Sequence, residues 1–183
     1  MFKKIIQKYK STTDLNRFLI KGGPLFLAWR MFRKWMILHG QYTHFTEVWA
    51  TVYLKISRFV LTISGFETTV SYPDRKLWLS NANNAIVVAY DCLGVNLLFI
   101  FMIFIVAYPG RVKLKVWFIP FGVVAIFLLN AFRMAALTVV VAKHPDQMDF
   151  YHHFVFQGFI YFFIFALWWW FSKLDKKKEA IPN

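Results

Sequence analysis

Three groups in this sequence combine into one chemistry: the single cysteine Cys92, the arginine Arg133 and the adjacent pair His152 and His153. A thiolate is a strong nucleophile, and it is favoured at a helix N-terminus and beside a cation. A histidine supplies the acid/base function that a cysteine nucleophile needs. An arginine stabilises the oxyanion of a tetrahedral acyl intermediate. The set therefore indicates acyl transfer from a peptide.

Each of these residues also has a purely structural interpretation. A lone cysteine beside a membrane helix can be an inert small hydrophobe, and an arginine near a helix end can reach the lipid headgroups. Asn130 lies three residues before Arg133, so both side chains project from one helix face. An arginine that far inside a membrane helix generally faces the bundle interior or a wet cavity. Its position therefore favours a functional role for Arg133.

The elements that hold these residues are predicted to be membrane helices. The chain has 183 residues, of which 58% are hydrophobic and only 17% are charged. A soluble domain of this size cannot bury 22 Phe and 8 Trp in one core, and the single cysteine excludes a disulfide scaffold. We expect one integral membrane domain over residues 1–183, with a catalytic core at about residues 85–172.

Apolar runs give the number of membrane segments. Three runs approach the roughly 20 residues that a helix needs to cross a bilayer: Leu93–Tyr108, Val116–Ala142 and Phe154–Phe171. A fourth run, Phe18–Leu38, is long enough but contains four cations, and the amphipathic stretch Thr46–Ile63 could instead lie along the interface or form the first crossing. We predict an all-α bundle of about four transmembrane helices, the first at 18–38, plus interfacial helices near the N-terminus.

The distribution of charge sets the orientation. The chain carries 22 Lys and Arg against 9 Asp and Glu, in short clusters between apolar runs. That pattern is typical of membrane topology, so no nucleic-acid partner is predicted. The basic loop 111–115 and the basic tail 173–178 are expected on the cytoplasmic side of the plasma membrane, and loop 143–151 outside. At about 1.5 Å of helix rise per residue, Cys92, Arg133 and His153 then share one extracytoplasmic depth.

The same residues carry a family resemblance. The sequences Cys92-Leu93-Gly94 and Asn130-Ala131-Phe132-Arg133, with a histidine before an aromatic helix, resemble the exosortase/archaeosortase family. The likeness covers about residues 91–171 and is closest to the short exosortase F-like branch. The family is known as polytopic membrane cysteine proteases or transpeptidases. They are thought to process proteins whose C-termini carry a recognition motif, a membrane helix and a basic cluster, so we expect such sorting signals as partners, besides the lipid bilayer.

The resemblance implies a role for each residue. Cys92 would be the nucleophile, Arg133 the family's arginine, and His153 the general acid/base, with His152 as the alternative. His153 is favoured because Gln157 and Tyr161, counted from it, fall where the family usually has a glycine and an aromatic residue. Leu93 departs from the serine that usually follows the cysteine. Two further residues, Asn130 and Gly94, are expected to orient the site or bind substrate.

Two other functions are open at this point. A metal site is conceivable at His144, Asp146, Asp149, His152 and His153, but no H-E-x-x-H pattern occurs, and neither a metal nor a cofactor is predicted. A non-catalytic membrane assembly or transport factor is the second alternative, although no internal repeat typical of transporters is visible.

Overall fold

Five long helices account for most of the described chain. The computed structural model describes residues 14–72, 74–82, 84–88 and 90–179, so both ends of the predicted domain, 1–13 and 180–183, lie outside the described residues. The helices are α1 (Asp14–Leu38), α2 (Gln41–Ile63), α3 (Val95–Ala107), α4 (Val112–Lys143) and α5 (Gln157–Glu179). The four predicted apolar runs fall on α1, α3, α4 and α5, which confirms a helical membrane bundle.

Helix α4 lies at the centre of this bundle and contacts α2, α3 and α5. Within the described residues, α4 and the helical segment Pro145–Asp175 are long and apolar enough to cross a membrane, whereas α3 is apolar but shorter. Helices α3 and α4 approach closely where the buried ring of Phe101 fills the space over Gly122, which has no side chain. The number of crossings, four, stays a prediction.

Helix α2 packs against α4. Its buried residues recur every three or four positions from Tyr42 to Leu61, which is the spacing of one helix face. The Ser57 hydroxyl donates a hydrogen bond to the backbone oxygen of Ala131 at 2.9 Å, and the Tyr53 ring stacks on Phe127 with centroids 4.3 Å apart. The amphipathic pattern of 46–63 therefore marks a face in contact with protein.

A small antiparallel sheet follows α2, and the all-α prediction did not include it. Its strands are β1 (Thr68–Ser71), β2 (Lys76–Leu79) and β3 (Ile86–Val87), paired in that order. Leu77, Leu79 and Ile86 are buried against Met134 and Leu137 in the second half of α4. Strands of two to four residues are too short for a readable alternation of apolar and polar side chains.

At the end of the bundle where α4 begins, Arg111 and Asp175 form an ion pair. The Arg111 backbone N–H and Nε donate to Asp175 Oδ1 at 3.2 and 3.4 Å, and Arg111 Nη2 donates to the Asp175 backbone oxygen at 3.1 Å. Asp175 is buried, although it belongs to a basic tail. These contacts bring the basic loop 111–115 and the start of the tail to the same end of the molecule.

Asp175→Asn is expected to destabilise the protein by about 1–2 kcal/mol, because a buried acceptor of charge-assisted hydrogen bonds becomes a weaker, neutral one. The half-exposed guanidinium of Arg111 keeps the loss at this modest size. Thermal unfolding in detergent measures the change. Asp146→Asn removes an equal charge from an exposed loop position and serves as the control. Equal melting temperatures for both variants would contradict a structural role for the pair.

Candidate active site

Cys92 lies at the start of α3, in a short 3₁₀ turn formed by Tyr90–Leu93. Gly94 follows with φ 67°, a left-handed conformation that ends this turn and begins α3. Glycine is suited to this position because a side chain would be strained there. Leu93 is fully buried, whereas Cys92 is only partly buried. The turn therefore anchors the backbone through Leu93 and leaves the neighbouring thiol accessible.

Two buried polar side chains of α4 face this turn. Asn130 is 1% exposed, and its Nδ2 donates a 2.9 Å hydrogen bond to the Cys92 backbone oxygen. Arg133 is 7% exposed, and its Nη1 donates to Asn130 Oδ1 at 3.4 Å. Asn130 thus joins the backbone of the cysteine turn to the guanidinium, and the spacing of three residues on one helix face allows it.

A histidine on the following helix completes the cluster. Nε2 of His152 lies 3.2 Å from Sγ of Cys92 and 2.9 Å from Nη2 of Arg133. A guanidinium can only donate hydrogen bonds, so Nε2 accepts from it and the ring proton of a neutral His152 belongs on Nδ1. The basic nitrogen is therefore held next to the thiol in the form that can accept its proton.

The imidazole in the cluster belongs to His152. The family spacing favoured His153 for this position, and that prediction differs from the structure. The His153 side chain is exposed, and its ring is nearly perpendicular to the His152 ring with centroids 4.6 Å apart. Both residues lie in a π-helical turn, Tyr151–Phe156. Consecutive side chains of a helical turn point in different directions, and here the His152 ring is the one that faces Arg133. Gln157 and Tyr161, used to favour His153, hydrogen-bond to each other at 3.2 Å on the exposed side of α5.

The Arg133 guanidinium has a further hydrogen-bond donor, its Nε–H group. Its Nε is buried and has no hydrogen-bond partner among the residues that the structure describes. A cavity of about 40 Å³ adjoins this side chain, and its other lining residues are apolar: Leu129, Phe132, Phe156, Phe159 and Ile160. An unpartnered buried donor is costly in a folded protein. A group that accepts a hydrogen bond from Nε would remove that cost.

Sequence reasoning did not identify Tyr53, which approaches the cluster from α2. The ring is 1% exposed, and its hydroxyl comes close to the Asn130 side chain without reaching hydrogen-bond geometry. The Tyr53 ring stacks on Phe127, which precedes Asn130 by three residues in α4. Tyr53 lies 39 residues before Cys92, and no motif links the two segments.

The alternative metal site in the loop after α4 has no support in the geometry. His144, Asp146 and Asp149 are exposed, and His152 turns into the cluster with Cys92. Within the described ranges, no group of three or more His, Cys, Asp or Glu side chains converges as metal ligands would. The polar groups that converge are a thiol, an imidazole, a guanidinium and a carboxamide, which suit nucleophilic chemistry better than metal binding.

Gly94→Ala is expected to destabilise the protein by about 1–2 kcal/mol, because an L-residue must adopt the left-handed conformation. The new Cβ would lie 3.2 Å from Asn130 Nδ2, so the carboxamide would shift away from the Cys92 carbonyl. Such a displacement can lower a catalytic rate by up to about 10²-fold. Thermal unfolding and substrate turnover measure the two effects. Gly158→Ala is the control, since nothing lies within 4 Å of a Cβ there; equal behaviour of both variants would contradict the role of Gly94.

Comparisons with known proteins identify the family. A family model described as transmembrane exosortase matches residues 24–170, which is most of the chain and includes the whole cluster. Among curated proteins, a probable archaeosortase E from Methanocaldococcus jannaschii is 27% identical over 126 aligned positions, covering 63% of this chain and 68% of that protein. No solved structure matches the chain. The short F-like branch stays a prediction. The chain belongs to the exosortase/archaeosortase family of membrane-embedded sorting transpeptidases.

Proposed function

We propose that this protein cleaves the C-terminal sorting signals of exported proteins by acyl transfer through a thioester on Cys92. The observation that carries the proposal is the position of His152 Nε2, within hydrogen-bond distance of both the thiol and the guanidinium. Cys92 is the nucleophile, His152 the general acid/base and Arg133 the oxyanion donor. Asn130 and Gly94 position the cysteine turn. No cofactor or metal takes part in this scheme.

In the first half-reaction, a C–S bond replaces the C–N bond of the substrate, and His152 carries the thiol proton to the leaving amine. His152 Nε2 accepts the Cys92 proton as Sγ attacks the scissile carbonyl carbon, and the carbonyl oxygen becomes an oxyanion. A protonated Nε2 can no longer accept from Arg133, so Nη2 is released and can donate, together with Nε, to the oxyanion. When the tetrahedral intermediate collapses, the C–N bond breaks and His152 protonates the leaving amine. The products are a thioester and the detached membrane tail.

The second half-reaction restores the enzyme. Water or an acceptor amine attacks the thioester and gives a proton to His152, and Arg133 again stabilises the oxyanion. Collapse expels the Cys92 sulfur, which recovers its proton from His152. The guanidinium disfavours a second positive charge on the neighbouring ring. The protonated histidine is therefore a ready acid for the leaving group in both halves of the cycle.

Charge distribution supports the proposed location in the plasma membrane, with the site outside. The Cys92 cluster lies on the half of α4 that is farther from Arg111 and the basic tail. Cytoplasmic loops of membrane proteins carry an excess of Lys and Arg, so the cluster is assigned to the extracytoplasmic side. We propose a single domain over residues 1–183 with its catalytic core at about 85–172. A substrate anchored by its own membrane helix would present its cleavage motif at this depth.

Cleavage of a tailed substrate tests the function directly. The test protein is an exported protein whose C-terminus carries a recognition motif, a membrane helix and a basic cluster, encoded beside this protein in the same genome. Co-expression with this protein should shorten the substrate by the length of its tail, and mass spectrometry of the new C-terminus defines the cleaved bond. An assembly or transport factor would leave the tail in place, and an intact tail in the presence of this protein would contradict the proposal.

Arg133→Gln is expected to lower the rate of cleavage by about 10²–10³-fold, as the loss of a preorganised oxyanion donor does in other enzymes. Arg133→Lys keeps the charge but lacks the planar fork that contacts Asn130 and His152 together, so an intermediate rate is expected. Initial rates on the tailed substrate measure both variants. Wild-type rates in Arg133→Gln, with normal accumulation in the membrane, would exclude the proposed oxyanion contact.

A further inference from the structure

Helix α1 contains three cations within five residues of an otherwise apolar segment: Arg30, Arg33 and Lys34. Ionisable residues in membrane helices are costly and generally pair with other charges or face a wet cavity. All three line one groove between α1 and α3, with a volume of about 680 Å³. The Cys92 mechanism uses none of them.

The groove has a polar end and an apolar wall. The cations and Asn96 form the polar part, while the wall includes Phe26 and Ile100. The rings of Trp29 and Phe99 stack with centroids 3.4 Å apart and hold α1 against α3 beside the groove. The volume is in the range of ordinary ligand pockets, about 300–1,000 Å³. The groove is therefore large enough for a small ligand.

Its electrostatics favour an anion. Every charged residue that lines the groove is a cation, and no Asp or Glu is among the lining residues that the structure describes. Arg33 also lies over the ring of Tyr42, with its Cζ 5.4 Å from the ring centroid, which orients one guanidinium. Guanidinium forks match the paired oxygens of a phosphate, and lysine contributes a compact positive charge.

The depth of the groove indicates the source of that phosphate. Helix α1 runs antiparallel to α3, since Phe18 meets Phe104 and Trp29 meets Phe99. Arg33 and Lys34 therefore lie towards the beginning of α3, where Asn96 is located. A membrane helix ends near the headgroup layer, and long basic side chains reach into it. A phosphate attached to acyl chains would then place its apolar part along the wall of the groove.

We propose that the groove between α1 and α3 binds a membrane phospholipid, with the phosphate on Arg30, Arg33 and Lys34 and an acyl chain along Phe26 and Ile100. The proposal does not depend on the transpeptidase activity. It gives a function to Arg30, Arg33 and Lys34, the three cations of α1 that line the groove. The groove recognises a phosphate ester that is attached to a hydrocarbon chain. Free phosphate and neutral lipid each lack one of these two parts and should bind more weakly.

Lipid binding to the purified full-length protein tests the proposal, with short-chain phosphatidylglycerol as the probe and native mass spectrometry as the readout. Arg30→Gln/Lys34→Gln should weaken binding by about tenfold or more, a loss of at least one strong contact. Lys55→Gln/Arg58→Gln removes two exposed cations from α2 and should leave binding within about twofold of wild type. Arg30→Lys keeps the charge and should retain most of the binding.

Two competitors distinguish the source of the phosphate. Inorganic phosphate at the concentration of the lipid should displace none of it, and diacylglycerol, which lacks the phosphate, should bind at least about tenfold more weakly. Competition by inorganic phosphate, equal binding of diacylglycerol, or equal losses in the α1 and α2 double variants would each overturn the proposal. Both exposed α1 positions, Arg30 and Lys34, lie outside the core, and circular dichroism verifies that the double variant stays folded.

Discussion

Cys92→Ala is expected to leave no measurable cleavage of a tailed substrate. The chain contains one cysteine, so no second thiol can take over, and the acyl-enzyme cannot form without a nucleophile at the start of α3. The side chain is partly buried, and its loss removes one sulfur atom from a polar cluster. Membrane accumulation should therefore stay close to that of the wild type. Loss of the tail, followed over time by immunoblotting, gives the rate.

Cys92→Ser is the matched control for this result. A serine hydroxyl occupies nearly the same volume and can still hydrogen-bond to His152, but it ionises far less readily than a thiol. Both variants should be inactive if the thiolate is required. Cleavage by Cys92→Ser at the wild-type rate would mean that only the shape and polarity of the residue matter. Cleavage by Cys92→Ala would exclude a nucleophilic role altogether.

His152→Ala is expected to lower the rate by about 10²–10⁴-fold, the usual contribution of a positioned general acid/base. Nε2 of this residue accepts the thiol proton and later protonates the leaving amine, so both halves of the cycle slow down. Its removal also leaves Nη2 of Arg133 without one of its acceptors. Single-turnover rates on a tailed substrate separate slow acylation from slow release of product.

His153→Ala is the control for His152→Ala, because it removes a histidine from the neighbouring position. The His153 ring is exposed, and it meets the His152 ring at nearly a right angle. A change of no more than about threefold is expected, since substitutions of exposed side chains are generally small in effect. The reverse ranking, with His153→Ala the slower enzyme, would assign the acid/base function to the residue favoured by the family spacing and would contradict the role of His152.

The sequence predicts the helices and the convergence of their polar residues well, for identifiable reasons. The runs that became α3, α4 and α5 are nearly free of charge, and that pattern indicates a membrane helix without information about its neighbours. Helix rise and loop charge place Cys92 and Arg133 at one level, and the structure brings them to the same histidine, His152. Asn130 follows from its spacing of three residues before Arg133.

The remaining features depend on contacts that one sequence does not encode locally. The choice between His152 and His153 depends on the rotation of a π-helical turn, and neighbouring residues with equal chemistry give no signal for it. Tyr53 and Ser57 reach α4 across more than 70 residues of chain. The amphipathic pattern of α2 shows that one face is buried without showing whether protein or lipid covers it.

Detection of the thioester tests the central claim most directly. The purified protein is mixed with a tailed peptide substrate, quenched in acid within the first turnover and analysed by intact mass spectrometry. The account predicts a mass increase equal to the part of the substrate before the cleaved bond, located on the Cys92 peptide and removed by hydroxylamine. His152→Ala should accumulate this species more slowly. Cleavage of the substrate with no adduct on Cys92 at any quench time would contradict the account.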